Sequence, residues 1–138
     1  MKLHASQMAG LLALLLLAGC AHWGEQDPHA ELLKSVTAHW QYKQEKQWDK
    51  AYNAFCKDVR EQQSRTQYIQ GANLDTSAFR IEEVVLTEDG KAGEVTVVFD
   101  AVVQGFTLKG IQLKEQWRYE NDGWCLAPSG TLKDLFSR

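Results

Sequence analysis

The hydrophobic period of this chain changes near Phe79. Between Leu32 and Trp40, apolar residues recur every three or four positions, which is the spacing of a helix that buries one face. Between Val95 and Val103 every second residue is apolar, which is the spacing of a strand with one buried face. Helices followed by a run of antiparallel strands predict an α+β fold.

Cap and turn residues mark where the elements begin and end. Asp27 followed by Pro28 is typical of a helix start, because Asp caps free N–H groups and Pro suits the first helical position. Three later segments are typical of turns between strands: Glu88–Lys91, Gln104–Gly105 and Asn121–Gly123. The second half of the chain therefore reads as a meander of strands.

Length and composition limit the class of protein. The 138 residues suit one domain, and a content of 44% hydrophobic and 24% charged residues is that of a folded globular chain. The formal net charge of -3 argues against a nucleic-acid partner, which selects a clustered basic surface.

The N-terminus carries a positive residue, Lys2, and then an uncharged apolar run from Met8 to Ala21. The run is shorter than the roughly 18 to 20 residues that a membrane-spanning helix needs. It has the layout of a signal peptide, with a basic start and a short apolar centre.

This run ends in Leu17-Ala18-Gly19-Cys20, which resembles the lipobox of bacterial lipoproteins. The resemblance implies that residues 1–19 are removed, that Cys20 carries the lipid, and that residues 20–28 tether a domain over 29–138. The membrane, reached through the lipid anchor, is then a partner. Ala21, in place of Asp, favours the periplasmic face of the outer membrane if the source is Gram-negative.

Two further cysteines, Cys56 and Cys125, lie in the predicted domain. An exported chain folds in an oxidising compartment, which permits a disulfide between them. Two unrelated buried thiols are the alternative, since free cysteine often serves as a small core residue.

The pattern of aromatic residues is similar to that of the NTF2-like family. The residues that carry the resemblance are Trp40-x7-Trp48-x3-Tyr52, Arg60, Glu115-x-Trp117 and Asp122-Gly123-Trp124-x-Leu126-x-Pro128. The resemblance implies N-terminal helices packed across a strongly curved antiparallel sheet, which together form a cone around an apolar pocket.

Glu115 is the first candidate for chemistry. Gly110 shifts the alternating pattern by one residue and so predicts a bulge, after which Glu115 shares a face with Leu113 and Trp117. A carboxyl group on an apolar face has a raised pKa and can act as a general base, with His39 as its partner. The alternative, which we favour, is a solvated or arginine-paired Glu115 at the rim of the cone, without contact to His39.

Aromatic side chains are the second candidate. They either fill the core or line a pocket for a small apolar ligand. The residues concerned are Trp40, Tyr52, Phe99, Trp117, Tyr119 and Trp124.

Together these patterns predict a membrane-anchored, periplasm-facing lipoprotein that acts as a non-catalytic ligand-binding or assembly module. A small apolar ligand, a protein partner and a homodimer all stay open. No cofactor is expected, and no metal, because the histidines lack the short spacings of a zinc site. The alternative is an NTF2-like enzyme of isomerase or cyclase type that uses Glu115 with His39.

Overall fold

The computed structural model describes residues 26–72 and 74–127. The signal peptide and Cys20 with its lipobox, all predicted above, lie outside these residues. The elements in chain order are α1 Pro28–Gln44, α2 Trp48–Asn53, α3 Lys57–Gln62, α4 Arg65–Gly71, β1 Asp75–Leu86, β2 Ala92–Val103, β3 Phe106–Glu120 and β4 Gly123–Leu126.

Helix α1 supplies the largest helical contribution to the core. It begins as the sequence predicts, with the Asp27 carboxylate accepting a hydrogen bond from the His29 N–H at 3.0 Å and Pro28 in the first turn. Leu32, Val36 and Trp40 on its inner face are fully buried. The helix is followed by Lys46, which has a φ of 58° and turns the chain toward α2.

The four strands form one antiparallel sheet in the order β1-β2-β3-β4. Strand β2 lies in the centre, and its residues Val95, Val97, Phe99 and Ala101 are buried beneath the helices. The β2–β3 turn is a two-residue loop with positive φ at both Gln104 and Gly105, the geometry that matches the twist of a hairpin.

Gly110 makes the bulge that the sequence predicts. Its φ is 66°, and the pairing of β2 with β3 shifts by one residue between Phe99 and Ala101. The Gly110 N–H donates to the Asp100 carboxylate at 2.8 Å. Because of the extra residue, Leu108 and Ile111 lie on the same face of the sheet, although they are three positions apart.

The prediction of an NTF2-like cone is wrong. Within residues 26–72 and 74–127, the sheet has four strands, is not strongly curved, and ends in β4, which is only 4 residues long. The predicted bulge at Gly110 is present, but it shifts the pairing of β3 with β2 within an open sheet and does not bend the strands around a pocket. With so short a last strand, the sheet does not wrap around the helical layer.

The short helices are attached to β4 by backbone and covalent bonds. Cys56 is joined to Cys125 by a disulfide across a separation of 69 residues. On either side of it, the Cys56 N–H donates to the Leu126 carbonyl at 2.9 Å and the Leu126 N–H donates to the Ala54 carbonyl at 2.7 Å. The loop before α3 therefore acts as a neighbour to β4 where the sheet ends.

Removal of the disulfide should destabilise the protein strongly. Replacement of both Cys56 and Cys125 by Ser frees a loop of 69 residues in the unfolded chain, and loss of such a bond costs about 2–5 kcal/mol. We expect a clear fall in the denaturant midpoint of the double variant. The same fall should appear when the wild-type protein is unfolded in reductant, and equal midpoints with and without reductant would contradict a stabilising role.

Candidate functional site

Glu115 is a buried acid held by two indoles. Its side chain is 2% exposed, and it accepts hydrogen bonds from Trp40 Nε1 at Oε1 and from Trp117 Nε1 at Oε2, each at 3.1 Å. The expected position at a solvated rim is therefore wrong. The partners of the carboxylate are aromatic N–H groups rather than an arginine.

Strand register and helix position together explain this placement. Glu115 pairs with Val95 across β2 and points to the helix-covered face, as does Trp117 two residues later. Trp40 reaches the same point from α1, 75 residues earlier in the chain. The carboxylate therefore links the main helix to the sheet.

Lys43 brings a positive charge close to this acid. It lies one helical turn after Trp40, and its Nζ is 3.6 Å from the centre of the Trp40 ring, a cation–π contact. Burial lowers the pKa of Lys43, and the charge of Glu115 acts in the opposite direction. Burial also raises the pKa of Glu115, while Lys43 and the two indole hydrogen bonds partly counter that rise.

Tyr68 approaches the cluster from α4. Its ring lies 5.2 Å from Phe55 and 5.7 Å from Tyr52, between centroids. Burial first, and the negative charge of Glu115 second, raise its pKa to about 12. Its hydroxyl therefore stays protonated at neutral pH.

His39 does not join Glu115 as a catalytic pair. It is 2% exposed, its ring centroid lies 6.0 Å from Phe55 and 5.9 Å from Trp117, and its Nδ1 has no hydrogen-bond partner among residues 26–72 and 74–127. Burial and the nearby charge of Lys43 lower its pKa to about 3. At neutral pH the imidazole is uncharged and a weak base.

The six aromatic candidates occupy two places. Trp40, Tyr52, Phe99 and Trp117 belong to the buried interior and pack against other core side chains. Tyr119 and Trp124 form an edge-to-face pair at 5.6 Å where β3 meets β4.

An open groove of about 610 Å³ lies at the other end of β3 from the β2–β3 turn. Its lining comes from the β1–β2 turn and from the end of β3, and it consists of Thr87, Glu88, Asp89, Lys91, Ala92, Arg118, Tyr119 and Glu120. Arg118 is held there by Asp58 at 2.7 Å and Glu120 at 3.2 Å. Since Glu115 and His39 are not among the lining residues, the buried acid does not face this groove.

Three side chains lie close enough together to be considered as metal ligands, but two of them form the disulfide. The potential ligand atoms of Cys56, Glu120 and Cys125 lie within 4.8 Å of one another. The two sulfurs form the disulfide, so they offer no thiolate to a metal ion.

Within the described part of the chain, no helix is both long and apolar enough to cross a membrane.

Comparison with known proteins gives a fold likeness only. No protein-family model matches the sequence, and no curated protein matches it. Among solved structures, the chain is similar to the solution structure of a SEC-C motif containing protein from Rhodopseudomonas palustris. The TM-score is 0.59 at 11% identity, over 70% of this chain and 75% of that one. The neighbour is thus a SEC-C motif protein and not an NTF2-like one, which agrees with the correction of the cone.

Sequence reasoning found Glu115 and its apolar face but missed Lys43 and Tyr68. Lys43 had a signal, because it lies three residues after Trp40 on the inward stripe of α1. Tyr68 had none, because α4 is otherwise polar and its position depends on contacts with Tyr52 and Phe55.

Glu115→Gln should destabilise the fold. The amide has one acceptor oxygen, so one of the two indole N–H groups would face an NH₂ group, and a buried unsatisfied donor costs about 1–3 kcal/mol. Glu94→Gln is the matched control, because Glu94 is a surface acid on the adjacent strand that bonds Lys114 and Gln116. Chemical denaturation should show a clear loss of unfolding free energy for Glu115→Gln and little loss for Glu94→Gln. Equal losses would contradict a stabilising role for the two indole hydrogen bonds to Glu115.

The charge state of Glu115 should also make stability depend on pH. Its pKa in the folded protein is raised above the ordinary 4.5, so the folded state keeps a proton that the unfolded chain releases first. The stabilising contribution is present below about pH 4.5 and is lost as pH rises through the raised pKa. The unfolding free energy of the wild type, minus that of Glu115→Gln, should therefore fall as pH rises from 4 to 7; a flat or rising difference would contradict the raised pKa.

Proposed function

We propose that this chain is a lipid-anchored lipoprotein of the cell envelope whose folded domain is a non-catalytic binding or assembly module. One observation carries the non-catalytic part of the proposal. Each carboxylate oxygen of Glu115, the best acid on the apolar face, already accepts a hydrogen bond from a buried indole.

A general base must approach the proton that it removes to within hydrogen-bond distance. Glu115 is 2% exposed, and its two indole partners belong to the packed core. His39, its predicted partner, is buried and uncharged at neutral pH, with a pKa of about 3. These features favour a structural role for the acid.

The N-terminal sequence supports the proposed lipid anchor at Cys20. Leu17-Ala18-Gly19-Cys20 follows an apolar run of signal-peptide length, and Ala21 favours the outer membrane, periplasmic face, in a Gram-negative cell. The Cys56–Cys125 disulfide is compatible with folding in an oxidising compartment. Export and lipidation would place the domain at the membrane surface.

Exposure favours a protein partner over a small apolar ligand. The aromatic side chains predicted to line a ligand pocket are mostly in the core, whereas several aliphatic and aromatic side chains are exposed on strands and on α1. These are Leu33, Val85, Phe106 and Leu108, of which Phe106 is 73% exposed. Of these, Phe106 and Leu108 are two positions apart on β3 and so share one face of that strand, where an exposed apolar pair suits contact with another folded chain.

Lipidation at Cys20 is directly testable. Cys20→Ser removes the thiol that would take the diacylglyceryl group, so the variant should stay uncleaved and should not incorporate labelled fatty acid. The double variant Cys56→Ser, Cys125→Ser is the control: with label measured per amount of protein, it should be labelled like the wild type, because the lipid is attached at Cys20 and not in the folded domain. Fatty-acid label that persists in Cys20→Ser would contradict the anchor.

The binding role is tested separately by native mass spectrometry of the full chain extracted from its host membrane. We expect complexes with protein, either a second copy or another chain. A stoichiometric small apolar molecule bound to the single chain would instead favour the ligand-binding alternative.

A further inference from the structure

Strand β3 has an open edge. It is 15 residues long, but β4 pairs only with its segment Trp117–Glu120. Over residues 106–115, β2 lies on one side and no strand of the described part of the chain lies on the other. This segment also carries Phe106 and Leu108, two of the exposed apolar side chains.

One hydrogen bond shows which backbone groups of β3 near β4 point outward, that is, away from β2 and toward the open edge. The Gln116 carbonyl accepts from the Ala127 N–H at 2.8 Å, so the backbone of Gln116 faces away from β2. Residues of a strand alternate between its two edges. Lys114 and Gln112 therefore also direct their N–H and C=O groups to the open edge.

The outward groups near the turn follow from the two-residue β2–β3 loop. Val103 and Phe106 flank that loop and bond each other, so Phe106 faces β2. By alternation, Thr107 and Lys109 face the open edge. Since the bulge at Gly110 adds one residue, the outward positions Lys109 and Gln112 are three residues apart instead of two.

We propose that a second copy of this chain pairs antiparallel with the open edge around a two-fold axis. Lys109 of each copy lies opposite Gln112 of the other, and Thr107 lies opposite Lys114. The two four-stranded sheets then become one sheet of eight strands.

The bulge is the reason for choosing a second copy as the occupant. A regular extended peptide has outward groups every two residues, so it would lose register after either Lys109 or Gln112. A second copy has the same three-residue interval at the same place, and antiparallel pairing sets the two intervals against each other. Both outward pairs can then form on each side of the axis.

The same register fits the space beside β4. A strand added to the open edge must end before Gln116, whose carbonyl already accepts from the Ala127 N–H beside β4. With Lys109 opposite Gln112, the first residue of β3, Phe106, falls opposite Glu115. The added strand therefore fills the edge and stops before it reaches β4.

Side chains across the proposed interface are compatible. Leu108, 37% exposed, falls opposite the half-buried Leu113 on the helix-covered face, and symmetry repeats this apolar contact. On the other face, Lys109 lies opposite Gln112 and Lys114 lies opposite Thr107. Lys114 keeps its ion pair with Glu94 at 2.7 Å, and Gln112 keeps its bond to Glu82 at 2.9 Å. No like charges stand opposite each other, which they would if either lysine met itself.

The other outer strand, β1, is less suited to pairing. Its register with β2 shifts twice, between Thr76 and Ala78 and between Ile81 and Glu83. It also carries Arg80 and Glu82, which form an ion pair at 3.5 Å along the edge. Bulges and charges discourage pairing at an edge. Strand β3 has one bulge, at Gly110, and two lysines, Lys109 and Lys114, which the proposed register sets opposite uncharged residues.

Cysteine cross-linking of the full chain in its membrane tests the register. The double variant Leu108→Cys, Leu113→Cys should form an oxidised dimer through Cys at 108 of one copy and 113 of the other. Within one chain these positions are about 16 Å apart along the strand, beyond the reach of a disulfide. Each single variant, and Thr107→Cys with Leu113→Cys on opposite faces, should give little dimer.

A second pair of variants tests the backbone contribution. Introduced into the double-cysteine chain, Gln112→Pro removes an outward N–H and should reduce the cross-link about tenfold or more, because symmetry places the change at two contacts. Gln112→Ala, which keeps the N–H, should retain it. Melting curves of both variants establish that they are folded.

The opposite results overturn the proposal. Sedimentation of the detergent-extracted wild-type chain should show a concentration-dependent dimer that Leu108→Glu weakens. A chain that stays monomeric and does not cross-link, or that cross-links equally through the Thr107 control, excludes this dimer and leaves the edge to another segment of the chain or to another protein.

Discussion

The contact between Glu115 and two tryptophans fixes how the main helix sits on the sheet. A buried carboxylate is tolerated only where its oxygens are bonded, and here one donor comes from α1 and the other from β3 itself. A slide of α1 along the sheet would break the Trp40 bond and leave a buried carboxyl oxygen without a donor. The polar contact therefore specifies one position among the many that apolar packing alone would allow.

The disulfide stabilises a different part of the structure, the short strand β4. A strand of 4 residues at the end of a sheet has few ladder bonds, and it would be the first part of the sheet to separate. Cys125 in this strand is bonded to Cys56, and Leu126 exchanges backbone bonds with the segment before α3. The helical layer thus stabilises the end of the sheet that neighbouring strands do not.

The sequence predicts local structure here better than it predicts global shape. The start of α1 at Pro28 and the bulge at Gly110 depend on one or two residues with special backbone or capping chemistry, and both are confirmed. The cone depends on how strand lengths and bends add up over the whole sheet. Pro128 indicates from the sequence that the last strand ends near Leu126, but nothing in the alternating pattern says that eleven residues of β3, 106–116, lie outside its pairing with β4.

The position of Glu115 shows, for a single residue, the same limit of prediction from local sequence pattern. Its place in the alternating pattern of β3 correctly indicated the apolar face of the strand. The pattern does not give the depth of burial on that face, because burial depends on what covers the strand. The covering group is Trp40, whose indole N–H makes burial of the acid acceptable, and Lys43 follows it by one helical turn. A buried acid among tryptophans is compatible with catalysis or with structure, and the decisive feature is whether its oxygens are free. Here both oxygens are bonded to indole N–H groups that the core holds in place, which supports a structural role for Glu115.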